Sequence, residues 1–318
     1  MLRLAHSFIA VALASALSLI TGAASQRAAA GAPPQADIDV LVTRYQATAE
    51  EYHKVFLNLT AEETRLVEVF DQSGRLGKRR EIVSDLVVYQ PPQDSNGKTT
   101  EYRDVRSVDG KPITKRSGRA LDLLRLASKS NSIKKELEMI DRESTRYDLN
   151  YRFSGLTDLS VVLLRDRQKF RIEWVGRDQV GGHEVAVLDY QEIAPNRDNP
   201  DKSIYEQYGF SASFTRGRLW LDVTTSQLRR ERWEFTGIHP ALPQPVTVMS
   251  VEATHTESRF GILVPERVEF DFYMPAKQKK NQPPAFFRSA HGTCTYREFQ
   301  QFEVATQQTI GTPAPPRW

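Results

Sequence analysis

The sequence contains a single cysteine, Cys294, among its 318 residues. One cysteine cannot form a disulfide within the chain, so stability has to come from a hydrophobic core. An excess of either charge is also missing, because 43 Lys+Arg face 40 Asp+Glu and the two signs are interspersed. Nucleic-acid-binding proteins usually have a clearly basic face, and this balance argues against a nucleic-acid partner.

The motifs of the common catalytic sites are absent. There is no Gly-x-Ser-x-Gly, His-Glu-x-x-His or Walker loop. Ser132 and Lys135 have the spacing of a serine acylase, but the partner motifs are missing. His255 and Glu257 project from one side of a predicted strand with only His239 as a third ligand nearby, so an ordinary histidine is the preferred interpretation. We predict no enzyme, no cofactor and no metal site.

The amino-terminal residues 1–25 have the layout of a secretory signal. Arg3 is their only charge, Phe8 to Ile20 is an apolar run, and small residues follow. Cleavage after Ala24 or Ser25 fits best, and an uncleaved anchor is the alternative. Without a cysteine at that site a bacterial lipid anchor is excluded there. An exported chain with a single cysteine is typical of a bacterial periplasmic protein. The formal charge of the whole chain is +3.

The composition of the whole chain is that of a water-soluble globular protein, with 40% hydrophobic and 26% charged residues. Residues 26–35 are rich in Ala and Pro and predict a flexible leader. Residues 36–57 carry apolar side chains at helical spacing and predict an amphipathic helix. Strands are predicted at 64–71, 78–90 and 100–108, followed by a helical insertion at about 117–143. Residues 305–318 predict a loose tail.

The stretch from Ser213 to Met274 predicts two successive antiparallel hairpins, after an earlier strand pair at 169–175 and 183–193. Strand side chains alternate between the two faces of a sheet, so Val268, Phe270 and Phe272 are expected on one apolar face. With Trp220 and Trp233 they are the candidates for lining a ligand cavity. A final strand from about Phe287 to Val304 changes parity, which predicts a β-bulge near Glu298.

Two groups of residues are candidates for surface contacts. Five arginines on two paired strands, Arg216, Arg218, Arg229, Arg230 and Arg232, predict a basic patch. The alternative is local pairing with Glu231, Glu234 and Asp222.

The second group puts cations beside aromatic rings in one loop, which can touch a membrane surface or an acidic partner. It consists of Lys277, Lys279, Lys280, Phe286 and Phe287. The alternative is an ordinary solvated hairpin loop with its phenylalanines tucked under the sheet.

Three segments resemble uncharacterised exported bacterial proteins of the periplasmic lipoprotein-carrier superfamily. They are YRDVRSVDGKPI (Tyr102–Ile113), the strand Arg218–Asp222 with its turn and arginines, and FGILVPERVEFDFY (Phe260–Tyr273). This superfamily includes the lipoprotein-sorting carriers and related sigma-factor regulators (LolA-, LolB- and RseB-like half-barrels). The resemblance spans residues 36–304 and carries over no catalytic or binding residue, because no position-specific functional motif matches.

The resemblance implies an α+β fold that is mostly antiparallel β: a curved half-open β-barrel of about ten strands, covered by the N-terminal helix and the helical insertion. Such a cavity would bind a lipid or an acylated, hydrophobic ligand. The alternative function is a protein-interaction module in the cell envelope, with peripheral membrane contact also compatible. A monomer is expected.

Overall fold

The computed structural model describes residue 33 and residues 35–57, 59–89, 100–113, 133–153, 156, 167–196, 208–277 and 283–301. The predicted signal and tail lie outside these residues, as do the first part of the helical insertion and most of the leader, of which Pro33 and Gln35 are described. The domain boundaries drawn from the sequence therefore stay predictions.

Two α-helices, two short 3-10 helices and eleven strands make up the described fold. The α-helices are α1 (Gln35–Phe56) and α2 (Ile133–Ser144), and the 3-10 helices are Thr145–Tyr147 and Arg167–Lys169. The strands are β1 (Leu59–Phe70), β2 (Leu76–Tyr89), β3 (Thr100–Val108), β4 (Lys111–Pro112), β5 (Phe170–Val180), β6 (His183–Glu192), β7 (Ala212–Asp222), β8 (Leu228–Ile238), β9 (Val246–Glu257), β10 (Leu263–Pro275) and β11 (Phe286–Gln301). Within the described residues, neither helix combines the length and the apolar character needed to cross a bilayer.

All eleven strands form one antiparallel sheet, in the order β4-β3-β2-β1-β11-β10-β9-β8-β7-β6-β5. The last strand pairs with the first, and every other neighbour in the sheet is also a neighbour in sequence. Because the order ends in β4 on one side and β5 on the other, the sheet is open and not a closed barrel. This confirms the predicted α+β fold class, with eleven strands where about ten were expected.

Helix α1 packs across one face of the sheet, here called the inner face; the opposite face is the outer face. The first part of the helix, including Val42 and Tyr45, is buried with Leu219 and Leu221 of β7. Its last turn places Phe56 in a second cluster of the inner face. A helix of 22 residues is about 33 Å long, which matches about seven spacings between strands. One amphipathic helix therefore packs against strands from both halves of the sheet.

The strand alternation predicted for β10 is confirmed. Val268 and Phe270 are 0% and 1% exposed on the inner face. The Phe270 ring lies over Gly292 of β11, where an added Cβ would be 2.0 Å from the ring Cζ atom. Glycine is required at this position because the ring occupies the space of any larger side chain.

The bulge predicted near Glu298 is also confirmed. Thr60 pairs with Gln300, but Glu62 pairs with Arg297, so β11 has one extra residue at this point. Glu298 adopts a φ of 56°, the left-handed conformation that such an insertion requires. The bulge lets Tyr296 and Phe299 both contribute to the inner-face core despite their opposite parity.

Candidate functional site

The inner face becomes more exposed toward one end of the strands β8, β9 and β10. At one level of pairing, Val251 of β9 and Phe270 of β10 lie side by side and are each 1% exposed. At the next level, Phe235 pairs with Met249 and Met249 pairs with Phe272, and all three side chains are half-buried. An apolar surface therefore continues out of the filled core.

Further apolar side chains border this level. The Tyr151 ring lies 5.6 Å from the Phe272 ring, and its hydroxyl donates to Met274 Sδ at 3.4 Å. Trp233 is half-buried and packs against both hydrophobic clusters. We call the half-buried set Tyr151, Trp233, Phe235, Met249, Phe272 and Met274 the apolar band. Methionine and aromatic side chains adapt to apolar ligands of irregular shape.

The structure separates the five cavity candidates predicted from the sequence. Trp233 and Phe272 belong to the apolar band, whereas Val268 and Phe270 belong to the filled core. Trp220 lies on the outer face with Val185 and Val187. The sequence did not reveal Phe235, Met249 or Tyr151, because their proximity depends on the pairing of three strands and on a segment after α2.

The five arginines do gather on the outer face, and each has an acidic partner. Arg218 binds Asp189 through two hydrogen bonds of 2.6 and 2.9 Å. Arg216 and Arg232 share Glu234, with distances of 2.7 and 3.0 Å. The remaining two pairs are Arg230 with Glu252 at 2.5 Å and Arg229 with Asp222 at 3.0 Å. The arginines thus form a cluster on one face and are also paired locally with acidic side chains, two arrangements that were predicted as alternatives.

Glu231 is the exception among the acidic partners proposed from the sequence. It lies on the inner face with 1% exposure and accepts a hydrogen bond from Tyr190 at 3.3 Å. Its position follows from the bulge at the start of β8, where Leu221 pairs with Leu228 but Trp220 pairs with Arg230. The pairing of Glu231 with the arginines was therefore wrong.

Four of these arginines line a concavity of about 620 Å³, here called the arginine groove: Arg216, Arg218, Arg230 and Arg232. Trp220 contributes a largely buried ring, 4.6 Å from the Arg230 guanidinium and 5.9 Å from that of Arg218. A volume of this size is in the range of ligand-binding clefts. Arg229 lies beside the groove, where Asp222 and His183 contact its guanidinium.

The loop with cations and aromatic rings is described in part, and Lys279 and Lys280 lie outside the described residues. Lys277 is exposed, and Phe287 is half-buried opposite Met274. Phe286 stacks on Tyr208 and Phe210, with ring centroids 6.2 and 5.7 Å away. The two phenylalanines thus pack against other apolar side chains, which is the alternative expected for an ordinary loop.

A buried ionic centre, not foreseen from the sequence, lies on the inner face of β1 and β3. The side chains of Glu63, Arg65 and Arg103 are all 0% exposed. Arg103 donates from Nε to both oxygens of Glu63 at 2.9 and 3.0 Å, and Arg65 binds Asp148. Burial alone would raise the pKa of Glu63, but the two guanidinium groups outweigh it and hold that pKa below its ordinary value.

The segment after α2 seals this centre from solvent. The backbone carbonyl of Phe153 accepts a hydrogen bond from Arg103 at 3.2 Å, and the Phe153 ring stacks on Phe270 at 6.0 Å. Arg152 ties the same segment to Asp141 and Asp148 through ion pairs of 2.8 and 2.5 Å. The ionic centre therefore holds the cover segment in place and is closed to a substrate.

The histidines and the cysteine are used structurally. His255 is 6% exposed, packed edge-on against Tyr52 of α1, beside a space of only about 20 Å³. His239 packs against Phe210, and Glu257 contacts Arg229 and His183. Burial raises the pKa of Cys294 to about 12, so the thiol keeps its proton. The three residues considered as metal ligands thus contact different neighbours.

Comparisons with known proteins give matches among solved structures alone. No family model and no curated protein matches the chain. A DUF1329 family protein from Desulfovibrio piger is similar over 85% of this chain and 94% of its own, with 11% identity and a TM-score of 0.32. A LolA superfamily protein from Nitrosomonas europaea is similar over 81% and 94%, with 10% identity and a TM-score of 0.30.

The Pseudomonas aeruginosa MucA/MucB complex gives 11% identity and a TM-score of 0.22, over 83% of this chain and 99% of the matched one. At such identities and TM-scores, the ligands and partners of these proteins cannot be assigned to this chain. Each of these three similarities covers more than four-fifths of this chain.

Proposed function

We propose that this chain is an exported, non-enzymatic binding protein that holds the apolar chain of a lipid or lipidated ligand against the apolar band. The observation that carries the proposal is the level of Phe235, Met249 and Phe272, whose half-buried side chains extend a buried apolar face toward solvent. Contiguous apolar side chains that reach the surface of a globular protein are a common sign of a binding site. An acyl chain lying on it would remove apolar area from water at about 25 cal/mol per Å².

The non-enzymatic part of the proposal rests on where the titratable groups lie. Among the described residues, charged side chains gather in the buried ionic centre and in the arginine groove. Those of Glu63, Arg65 and Arg103 are sealed under the Phe153 segment, and in the open arginine groove each carboxylate is ion-paired with an arginine. An enzyme needs a titratable group that is able to react in a cleft that a substrate can enter. The apolar band offers contact surface without such groups.

Native mass spectrometry of the full chain, exported to a bacterial periplasm and purified without detergent, tests the ligand class. The expected result is an adduct of lipid mass that organic extraction removes and that added palmitate restores. A clean apo mass together with no uptake of palmitate would contradict the proposal.

Quenching by brominated palmitate tests the location of the ligand. Bromine quenches tryptophan fluorescence on contact, so Trp233 in the apolar band is expected to be the quenched residue. Replacing Trp233 by phenylalanine should abolish most of the quenching, whereas Trp220→Phe on the outer face should retain it. If the two variants exchange these behaviours, the ligand lies on the other face of the sheet.

Replacing Met249 by glutamine is expected to weaken palmitate binding about five- to tenfold, because a polar amide would have to be desolvated beneath the acyl chain. The control is Met139→Gln on α2, where the side chain is 55% exposed and lies outside the apolar band. Isothermal titration with palmitate measures both. Equal affinities for the two variants would show that Met249 does not contact the ligand.

A protein-interaction module is the second candidate function. The gathering of the arginines on the outer face is the specific observation that favours it.

A further inference from the structure

We infer that the arginine groove is a docking surface for an extended segment of a partner protein that carries two acidic side chains two residues apart. The groove lies on the outer face, opposite the apolar band, so this inference is independent of the apolar ligand. The occupant is identified by its chemistry: carboxylates at the spacing of an extended chain.

The first step is the way in which β7 and β8 place like charges. Arg218 pairs directly with Arg232 in the register of the two strands, and both side chains are on the outer face. Like charges directly opposite each other destabilise a strand pair. One strand level away, Trp220 pairs with Arg230. Two adjacent levels of the sheet therefore present three guanidinium groups to the same concavity.

The second step is that the carboxylates already present leave the groove positive. Its lining holds five arginines, the fifth being Arg171, against the four carboxylates Glu173, Asp189, Glu234 and Glu252. Glu234 alone serves both Arg216 and Arg232. The side chains of Arg218 and Arg232 are 42% and 54% exposed. A guanidinium has more N–H donors than these ion pairs use, so an incoming carboxylate can reach the remaining donors of side chains this exposed.

The third step is that the guanidinium groups are already oriented. Arg218 is held by its two bonds to Asp189, and Arg230 is held over the face of Trp220. An arginine side chain that is fixed before binding loses little conformational entropy when it donates hydrogen bonds to a carboxylate. Carboxylate pairs with arginine are often bidentate and are stronger than neutral hydrogen bonds. The groove is therefore preorganised for carboxylates.

The fourth step is a match of spacing. Outer-face residues along a strand are two apart, so successive levels of the groove are about 6.8 Å from each other. Alternate side chains of an extended peptide lying along β7 and β8 have the same repeat. One acidic side chain then meets Arg218 and Arg232, and the next on that face meets Arg230.

Charge distinguishes a protein segment from an anionic membrane as the occupant. Membrane-binding segments present clusters of Lys and Arg without acidic neighbours. Here the lining is mixed, with a net charge of +1. A mixed surface is complementary to a peptide with a few charges at defined places, and repels one with charges elsewhere.

Two synthetic peptides of nine residues test the inference on the full-length chain. Both contain two glutamates in an otherwise uncharged sequence with blocked ends; one has them at positions four and six, the other at four and five. Only the first can point both carboxylates at one face of the sheet. The expected result, by titration calorimetry at low salt, is at least about fivefold tighter binding of the first peptide.

Arg232→Glu and Arg267→Glu are matched variants for the same titration. Each arginine lies on the outer face, is half-exposed, and pairs with the glutamate two residues later in its own strand, Glu234 or Glu269. Arg232→Glu is expected to weaken binding of the first peptide at least about tenfold, and Arg267→Glu less than twofold.

Three outcomes would overturn the inference. In the first, neither peptide binds. In the second, both peptides bind equally and both variants weaken them equally, which indicates unspecific attraction. In the third, the chain binds vesicles containing phosphatidylglycerol but neither peptide, and Arg232→Glu abolishes the vesicle binding, which indicates a membrane surface. Palmitate uptake measured on the same variants is expected to be unchanged. A failure of the groove is therefore distinguishable from a failure of the apolar-ligand proposal.

Discussion

Replacing Arg103 by methionine is expected to lower the free energy of unfolding by about 3–5 kcal/mol, the cost of leaving a buried charge without its partner. Glu63 is 0% exposed, and Arg103 supplies its closest charge-assisted hydrogen bonds. In the variant the nearest guanidinium is that of Arg65, whose Nη1 is 3.9 Å from Glu63. The variant also removes the donor to the Phe153 carbonyl, which loosens the cover segment.

Urea unfolding followed by circular dichroism measures this loss, and Arg106→Met is the matched control. Arg106 is also on β3 but on the outer face, 40% exposed, and paired with Glu62 at 2.6 Å. Its replacement is expected to cost less than about 1 kcal/mol, because exposed ion pairs contribute little. Equal losses for the two variants would contradict the role assigned to the ionic centre.

Removing both charges separates the value of the ion pair from the damage of breaking it. In the double variant Glu63→Leu with Arg103→Met, the carboxylate of Glu63 is removed together with the guanidinium that neutralises it, while Glu101 keeps its carboxylate and loses the contact with Arg103. Buried ion pairs are often replaced by apolar side chains at little cost. We expect the double variant to recover at least half of the stability lost in Arg103→Met. No recovery would show that the loss came from the hydrogen bonds to Phe153 and Glu101 instead.

The sheet could be read from the sequence wherever one face of a strand is apolar and the other polar. This was so for β10, where Val268 and Phe270 alternate with charged residues. It failed for β1, which was predicted to begin at Thr64 but begins at Leu59. Glu63 and Arg65 point into the core with the same parity as Ala61 and Val67, so the pattern looks polar where it is buried. Only their partners on β3 and after α2 explain why charge is tolerated there.

The candidate sites were predictable to the extent that they depend on single strands. The arginines on β7 and β8 were recognised because both strands were recognised. The face of Trp220 was predicted wrongly, although alternation within β7 places it on the same side as Arg216 and Arg218. The apolar band was seen only in Trp233 and Phe272, since its other members come from separate segments. Information about register between distant segments is not contained in local periodicity.

His255 is expected to make the protein less stable in acid, and the sign follows from its environment. Burial lowers the pKa of His255 to about 4, and a backbone contact with Arg229 offsets only part of this effect. In the unfolded chain the imidazole has its ordinary pKa of about 6.5. Between these two values the unfolded state binds a proton that the folded state does not, so stability is lost as the pH falls through this window.

The full loss is roughly 3 kcal/mol at pH 4, and about 2 kcal/mol is expected between pH 8 and pH 5. Other groups titrate in acid as well, so the informative quantity is the difference between the wild type and His255→Leu. The variant is expected to lose about 2 kcal/mol less over this range, measured by urea unfolding at both pH values.

His291 provides a control of opposite sign. Its Nδ1–H donates a hydrogen bond at 3.0 Å to the carboxylate of Asp271, and this partner raises the pKa of His291 above its ordinary value. Its contribution is therefore fully present below the unfolded pKa and is lost as the pH rises through the folded one. His291→Gln should enlarge the acid-dependent loss where His255→Leu reduces it. If both variants change it in the same direction, burial against α1 does not control the titration of His255.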